Sequence, residues 1–227
     1  MKKINKDTLY MTVIGLSVTI LIVSNIASTK MFDFFGTGLV WNGGVVLFPF
    51  AYVLGDAITE IYGFKKARNI VLLTIAMNLL AVLVLWIVQI LPPGPGWENQ
   101  AAYEAIIGFM PRIVFGSVTA YTISQILNSF IFAKIKNATK GRFLLFRAIA
   151  SNMVSKLIDV AIFISIAFYG TITTEQFFGL IVIAYTSKII FGTVLTPVTY
   201  LLIKFMKKIT GLDHYDKKLS LGNIFTR

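Results

Sequence analysis

The sequence predicts an all-α integral membrane protein, a single-domain bundle of six transmembrane helices over residues 1–227, with both termini in the cytoplasm. Of its 227 residues 56% are hydrophobic and 14% charged, whereas soluble domains are about 25% charged. The mean hydropathy is +0.79. Six apolar stretches are each near the ~20 residues that a membrane-spanning helix needs, and basic residues concentrate in alternate connections.

The first three spans are predicted at about residues 9–28, 39–62 and 69–91. A basic start from Met1 to Lys6 precedes the first of them. This apolar stretch is longer than the ~7 to 15 residue core of a signal peptide and lacks a small-residue cleavage site. We therefore interpret it as a membrane span that is retained.

The last three spans are predicted at about residues 106–133, 144–169 and 176–206. The segment from Pro92 to Glu98 precedes them and contains three prolines and two glycines. Proline removes a backbone donor, and this composition favours turns, so the segment is predicted to be a loop rather than a helix.

Lysine and arginine occupy alternate connections. Three are at the N-terminus, three follow span 2, five follow span 4 and six lie from Lys204 onward, against Lys30 alone on the opposite side. The positive-inside rule then places both termini in the cytoplasm. The net charge of +11 is thereby explained by topology and contact with anionic lipid. The predicted partner is the lipid bilayer, and no nucleic acid is expected.

Span 2 carries two carboxylates, Asp56 and Glu60, at membrane depth. An acid near the bilayer centre costs on the order of 2.5 to 3.5 kcal/mol on insertion scales. The spacing of four puts both on one helix face, with Tyr52 one turn earlier. This face is predicted to point at protein or a water-filled cavity, and a functional role is favoured over a purely structural one.

Apart from the basic residues already counted with the cytoplasmic connections, four other charges lie within the predicted spans: Arg112, Lys156, Asp159 and Lys188. Arg112 is near the outer end of span 4, where its side chain can snorkel to water. Lys156 and Asp159 are three apart and can pair within span 5, as a packing ion pair or as part of a substrate site. Lys188 has no acid on its own span, so a carboxylate of span 2 or 5 is its expected partner. One acid is then expected to remain without a basic partner or to bind a proton.

Two prolines lie inside predicted spans, Pro49 in span 2 and Pro197 in span 6. Each is predicted to kink or break its helix and to free backbone carbonyls. Such carbonyls are tolerated at membrane depth only where they are buried or face a cavity.

The sequence lacks the residues that most hydrolytic and metal sites need. There is no cysteine and one histidine, His214, in the polar tail, which excludes disulfides, thiolate nucleophiles and Cys/His zinc sites. No zinc-protease motif, phosphate-binding glycine loop or Ser/His pair is present. We predict no enzyme, no metal and no cofactor. An intramembrane hydrolase using Asp56 with Asp159 is formally open, but no motif supports it.

Several motifs resemble the queuosine precursor transporter family, also known as the vitamin uptake transporter family, over nearly the whole chain and in the same order. The block from Phe48-Pro49 through Asp56 to Thr59-Glu60-Ile61-Tyr62-Gly63 is the most specific. The other matching features are Asn25-Ile26-Ala27 with Lys30, Gln125-x-x-Asn128, Asp159-x-x-Ile162-Phe163, and Lys188 with Thr196-Pro197 and Tyr200. The chain departs from the family pattern at Asn128, where an acid is expected, and at Lys156, where a neutral polar residue is expected.

The resemblance implies a multi-pass importer in the inner (plasma) membrane that feeds tRNA queuosine modification. Its small-molecule substrate would be a purine-like 7-deazaguanine base, such as 7-cyano-7-deazaguanine, 7-aminomethyl-7-deazaguanine or queuine. One carboxylate can accept N1–H and the exocyclic amine of such a base together, polar groups can meet O6, and aromatic rings can stack on it. The predicted substrate-binding residues are Asp56, Glu60, Asp159, Gln125, Asn128, Lys188, Tyr52, Phe48 and Asn25, with Tyr185 as a further stacking candidate.

One alternative of a different class is the substrate-binding subunit of an ATP-driven vitamin importer, because such subunits are also small six-helix proteins. This sequence has no ATPase domain, so another subunit would have to supply it. A homodimer is left open as the assembly. A coupled proton carried by Glu60 is a further hypothesis.

Overall fold

Helices form nearly all of the regular structure in the computed structural model, which describes residues 6–33, 40–108, 111–170 and 173–216. Their bounds are α1 Lys6–Ala27, α2 Phe48–Tyr62, α3 Phe64–Ile90, α4 Gln100–Ile107, α5 Pro111–Ala138, α6 Leu144–Phe168, α7 Thr174–Val194 and α8 Thr196–Thr210. Two three-residue strands, β1 Met31–Asp33 and β2 Val40–Asn42, pair antiparallel, with Phe32 opposite Trp41. A 3-10 turn, Gly43–Val46, follows them.

Four of these helices are long and apolar enough to cross a membrane. They comprise Asp7–Ala27, Phe64–Ile90, Leu144–Ala167 and Phe177–Val194. Many of the large apolar side chains on α3 and α7 face outward, among them Leu80, Leu83 and Val182. In water this would be costly, whereas lipid is a favourable surrounding for such faces. The prediction of a helical, multi-pass membrane protein is confirmed at this level.

Span 2 differs from its predicted bounds of 39–62. The β1–β2 pair and the 3-10 turn come first, and α2 begins only at Phe48. Pro49 therefore stands in the first turn of α2, where its missing N–H has no intrahelical partner to lose. The predicted kink at Pro49 is wrong. With 15 residues, α2 is about 22 Å long, shorter than the ~30 Å hydrocarbon layer.

Gly63 alone separates α2 from α3. Its φ of 83° lies in the left-handed region that residues with a Cβ avoid, and a Cβ there would lie 2.3 Å from Cδ2 of His214. The predicted connection at 65–68 is in fact the first turn of α3, and Arg68 is buried there. The helix starts earlier than predicted because glycine makes the turn in a single residue.

Spans 4 and 6 are each divided. The predicted span 106–133 begins inside the short helix α4, which ends at Ile107, and α5 then extends to Ala138. The predicted span 176–206 breaks between Val194 and Thr196, next to Pro197. The break predicted at Pro197 is confirmed. Spans 3 and 5 lie close to α3 and α6, and span 1 lies close to α1.

Helix α2 lies in the middle of the bundle. Every residue from Ala51 to Tyr62 is buried. One apolar cluster joins Ile58 and Ile61 to Ile203 and Met206 of α8. A second contains Ala51 together with residues of α3 and α5. Polar side chains on α2 are therefore surrounded by protein, as the sequence predicts.

Candidate functional site

Three side chains at intervals of four on α2 each meet a side chain of α6. From one contact to the next, the residue number increases on α2 and decreases on α6, so the two helices run antiparallel. The contacts are Tyr52 with Lys156 (5.1 Å from the ring centroid to Nζ), Asp56 with Asn152 (3.0 Å) and Glu60 with Arg147 (2.5 Å). The two carboxylates thus share a face, as predicted, but have different surroundings.

Asp56 is a buried carboxylate held by neutral amides. Nδ2 of Asn128 donates to Oδ1 over 2.7 Å and Nδ2 of Asn152 donates to Oδ2 over 3.0 Å. Within the described ranges no lysine or arginine nitrogen lies within 4.0 Å of either oxygen. An ionised carboxylate can accept about four hydrogen bonds. Asp56 therefore retains capacity for a further donor.

Amide groups without partners lie next to Asp56. Gln125 packs directly against Gly55, where a Cβ would be only 1.8 Å from its Nε2. Both polar atoms of the Gln125 amide, and Oδ1 of Asn152, are buried and lack a hydrogen-bond partner in the described chain. A buried unsatisfied polar group costs about 1 to 3 kcal/mol. Such groups commonly mark a place where water or a ligand binds.

Asp159 of α6 forms the second acidic centre. Lys188 of α7 forms an ion pair with Oδ2, and Oγ of Ser124 donates to Oδ1 over 3.1 Å. The expected pairing of Lys188 with a carboxylate of span 2 or 5 is confirmed, and the carboxylate is that of Asp159 in span 5. The pairing of Lys156 with Asp159 is not formed, because Nζ of Lys156 donates to the backbone oxygen of Lys188 over 3.0 Å.

A cleft opens beside these residues, between α6 and the break that separates α7 from α8. Its lining residues are Ile149, Asn152, Met153, Lys156, Ile189, Gly192, Thr193 and Thr196. It contains about 200 Å³ of empty space, part of it open to the outside. Asn152 connects the cleft to Asp56, since one side chain both lines the cleft and donates to that carboxylate.

Glu60 belongs to a separate, buried ion cluster at the other end of α2. Arg147 lies 2.5 Å from Oε2, while Lys207 at 2.5 Å and Lys136 at 3.3 Å share Oε1. Lys136 also donates to the backbone oxygen of Glu60 over 2.6 Å. Three cations from α5, α6 and α8 therefore surround one acid of α2, and the cluster joins four helix ends. Of the two spans in which an acidic partner of Lys188 was expected, span 2 does not supply it, since Lys188 pairs with Asp159.

The C-terminal segment after α8 completes this cluster. Asp213 lies 2.5 Å from Lys136 and 3.1 Å from Lys207. Partial burial by itself would raise the pKa of Asp213, but the two ammonium groups outweigh it and hold the pKa below the ordinary value. Asp216 accepts the backbone N–H of Phe64 over 3.0 Å, so its carboxylate caps the N-terminus of α3.

Among the described residues, the hydrogen bonds of Asn25 and the ring contact of Phe48 lead to side chains outside the ion pairs of Glu60 and Asp159. Nδ2 of Asn25 donates to Asn78 over 2.9 Å, and Ser117 donates to Oδ1 of Asn25 over 3.4 Å. The ring of Phe48 meets that of Tyr121 edge to face, at 6.2 Å. The substrate role predicted for each of the nine residues stays a prediction.

The predicted substrate-binding set omitted several participants of the site, although Lys156 had been considered for a substrate site together with Asp159. Asn152 and Lys156 stand four apart on α6, the spacing of one helix face. This spacing was the sequence feature that could have placed both residues in the site. Lys136, Arg147 and Lys207 were assigned to the cytoplasmic connections on charge alone, and that reasoning carried no sign that they turn inward to Glu60.

Comparison with known families is decisive for the class of protein. The family described as "Putative vitamin uptake transporter" matches residues 42–202, from β2 into α8. The chain belongs to this family. Its members are transporters, so the protein is a transporter and not an enzyme. The matched range contains every predicted site residue except Asn25.

Three curated relatives of this family member carry queuosine names. "Probable queuosine precursor transporter" of Bacillus subtilis (strain 168) is 28% identical over 180 residues, covering 79% of this chain and 78% of the relative. The protein of the same name from Haemophilus influenzae is 25% identical, covering 69% and 66%. "Queuosine precursor transporter" of Escherichia coli (strain K12) is 24% identical, covering 66% and 67%. No solved structure matches the chain.

Proposed function

We propose that this protein imports queuosine precursors, 7-deazaguanine bases, across the inner (plasma) membrane for tRNA modification. The names of its relatives support the substrate class. The observation that carries the proposal is the buried Asp56 carboxylate. This carboxylate accepts hydrogen bonds from two amides and has no ion-pair partner in the described chain. The amide of Gln125, which also lacks a hydrogen-bond partner there, lies nearby.

The chemistry of a deazaguanine fits this arrangement. Its N1–H and exocyclic amine form a donor pair, and a carboxylate accepts such a pair through two charge-assisted hydrogen bonds. Gln125 offers both a donor and an acceptor to the rest of the base. The Tyr52 ring, one turn from Asp56, supplies a stacking surface. Asn128 and Asn152 hold the carboxylate in place.

Glu60 receives a structural role in this proposal. Both of its oxygens are used by cations, so a substrate would have to break an ion pair to reach it. A coupled proton on Glu60 would likewise leave buried cations without their acid, which is costly. We assign Glu60 to holding the ends of four helices together.

The proposed topology has six crossings with both termini in the cytoplasm. Helices α7 and α8 together form the last crossing, and α2, with the preceding turn, forms the second. The support comes from Lys136 and Arg147 of the connection after span 4 and from Lys207 of the C-terminal segment, two separate segments that the positive-inside rule assigns to the cytoplasm. They meet at Glu60, as residues on one side of a membrane can.

This topology can be tested by labelling, because the sequence contains no cysteine. Single cysteines at Lys208 and Glu98 are treated in intact cells with a membrane-impermeant maleimide. We expect labelling at Glu98→Cys and none at Lys208→Cys until the membrane is opened. The reverse pattern would refute the orientation.

Substrate entry requires the structure to open. The cavity enclosed by the cleft beside Asn152 and Lys156 has a volume of only about 10 Å³, far below the ~300 to 1,000 Å³ of typical ligand pockets. Movement of α7 at its break from α8 would widen the cleft. Polar contacts that hold α7 to α6 there include the hydrogen bond from Lys156 to the backbone of Lys188, which such a movement would break.

The deciding experiment is uptake of labelled 7-cyano-7-deazaguanine by the purified protein in liposomes without ATP. We expect uptake by the wild type and a loss of about 100-fold or more in Asp56→Asn, because two hydrogen bonds to a charged group are at stake. Glu98→Gln, an acid in the outer loop, is the matched control and should transport normally. Uptake that appears only with added ATPase subunits would support the vitamin-importer alternative instead.

A further inference from the structure

Lys156 is a buried ammonium beside Asp56 that has no acidic partner in the described chain. Its side chain is 3% exposed. Its one hydrogen bond there goes to a neutral acceptor, the backbone oxygen of Lys188, and the Tyr52 ring lies 5.1 Å from Nζ. Lys188, by contrast, is paired with Asp159. Since an ammonium carries three N–H donors, two donors of Lys156 remain available.

The position of this ammonium is set by its surroundings. Lys156 stands one turn after Asn152 on α6, and both residues line the cleft. Gly192 of α7 leaves the space that Nζ occupies, because a Cβ at that position would lie 1.9 Å from it. The cleft side of the site thus presents a positive charge, and the α2 side presents the carboxylate of Asp56.

Two separated opposite charges select a ligand with a donor edge and an acceptor edge. When Asp56 accepts N1–H and the exocyclic amine of a 7-deazaguanine, O6 and the 7-substituent project together away from that amine. An ammonium on this side donates to O6 and to any acceptor at position 7. It repels a cation at position 7, and the repulsion is strong where water is excluded.

We propose that Lys156 determines specificity: it selects 7-deazaguanines with a neutral, hydrogen-bond-accepting 7-substituent, such as 7-cyano, against those with a cationic one, such as 7-aminomethyl. This inference rests on the proposed function and concerns the same site. Lys156 binds substrate directly in this role, and its charge rather than its size makes the distinction.

The test is competition for liposome uptake of labelled 7-cyano-7-deazaguanine. The unlabelled competitors are 7-cyano-, 7-aminomethyl- and 7-hydroxymethyl-7-deazaguanine. The last has nearly the shape of the aminomethyl compound without its charge. In the wild type we expect half-inhibition by the aminomethyl compound at a concentration about tenfold or more above the other two, since one unscreened like-charge contact readily accounts for that factor.

Variants of Lys156 separate charge from shape. Lys156→Gln keeps a donor without the charge and should bring the aminomethyl and hydroxymethyl compounds within about threefold of each other, whereas Lys156→Arg should preserve the wild-type discrimination. The wild-type ratios require no variant, so the proposal remains testable if Lys156→Gln does not fold.

Three outcomes overturn the inference: equal inhibition by all compounds in the wild type, equally weak inhibition by the hydroxymethyl and aminomethyl compounds, or an unchanged ratio in folded Lys156→Gln. Each of them leaves the proposed function standing as long as the 7-cyano compound is taken up. Failure of the wild type to take up any deazaguanine refutes the proposed function itself.

Discussion

The guanidinium of Arg147 lies 2.5 Å from the carboxylate of Glu60, and both side chains are almost fully buried. Arg147 is at the start of α6 and Glu60 near the end of α2, so the pair connects two helices that are distant in sequence. One turn along α2, the side chains that donate hydrogen bonds to Asp56 in the described chain are both amides. Because the two acids have different neighbours, substitutions of Glu60 and of Asp56 should have different effects.

Substitution of Glu60 should destabilise the fold. Glu60→Gln leaves Arg147, Lys136 and Lys207 facing a neutral amide, and breaking a buried ion pair from one side costs about 3 to 5 kcal/mol. We expect a clear fall in the Tm of the detergent-solubilised protein. Asp56→Asn should change the Tm little, because Asp56 forms no ion pair within 4.0 Å among the described residues. Equal stability losses in the two variants would contradict the division of roles.

Loss of the Asn152 amide should weaken transport more than stability. Asn152→Leu removes one of the two donors that hold Asp56, so we expect KM for 7-cyano-7-deazaguanine to rise about tenfold, the effect of losing a hydrogen bond to a charged group. The measurement is concentration-dependent uptake in liposomes. Asn99→Leu, in the exposed loop before α4, serves as control. An unchanged KM in Asn152→Leu would count against Asp56 as the binding carboxylate.

Gly63 should tolerate no side chain. Gly63→Ala places a Cβ at a φ of 83° and 2.3 Å from the His214 ring, and we expect a loss of about 1 to 2 kcal/mol from the backbone alone. His214→Ala in the same chain removes the collision and should restore part of the Tm. Full restoration would show that the backbone is not strained.

Acid should release the C-terminal segment through Asp213. The pKa of Asp213 in the folded protein lies below the ordinary 3.8. Its ion pairs therefore stabilise the fold fully above about pH 3.8, and this stabilisation is lost as the pH falls through the folded pKa. We expect the Tm to fall further in the wild type than in Asp213→Asn when the pH is lowered from about 5 to about 2. Parallel pH profiles would show that Asp213 is not paired in solution.

Much of the fold could be predicted because hydropathy and charge are local properties of the chain. Apolar stretches are visible in α1, α3, α6 and α7, and burial of Asp56 and Glu60 follows from the cost of placing acids in lipid. The start of α2 was missed because residues 39–47 are as apolar as a span, and pairing of β1 with β2 competes with helix there. Gly63 was missed because a one-residue turn leaves little signal in the sequence.

The sequence by itself determined that the protein is a multi-pass helical membrane protein and that polar side chains gather on one face of α2, while the transporter class came from its family resemblance. It also indicated that Lys188 needs an acidic partner. Only the tertiary structure decided that Glu60 receives three cations while Asp56 receives two amides, and that Lys156 turns to the cleft instead of Asp159. The reason is geometric: Asp56 and Glu60 are four residues, about 6 Å, apart along one face of α2. Helix packing brings side chains of α5 and α6 to Asp56, and side chains of α5, α6 and α8 to Glu60.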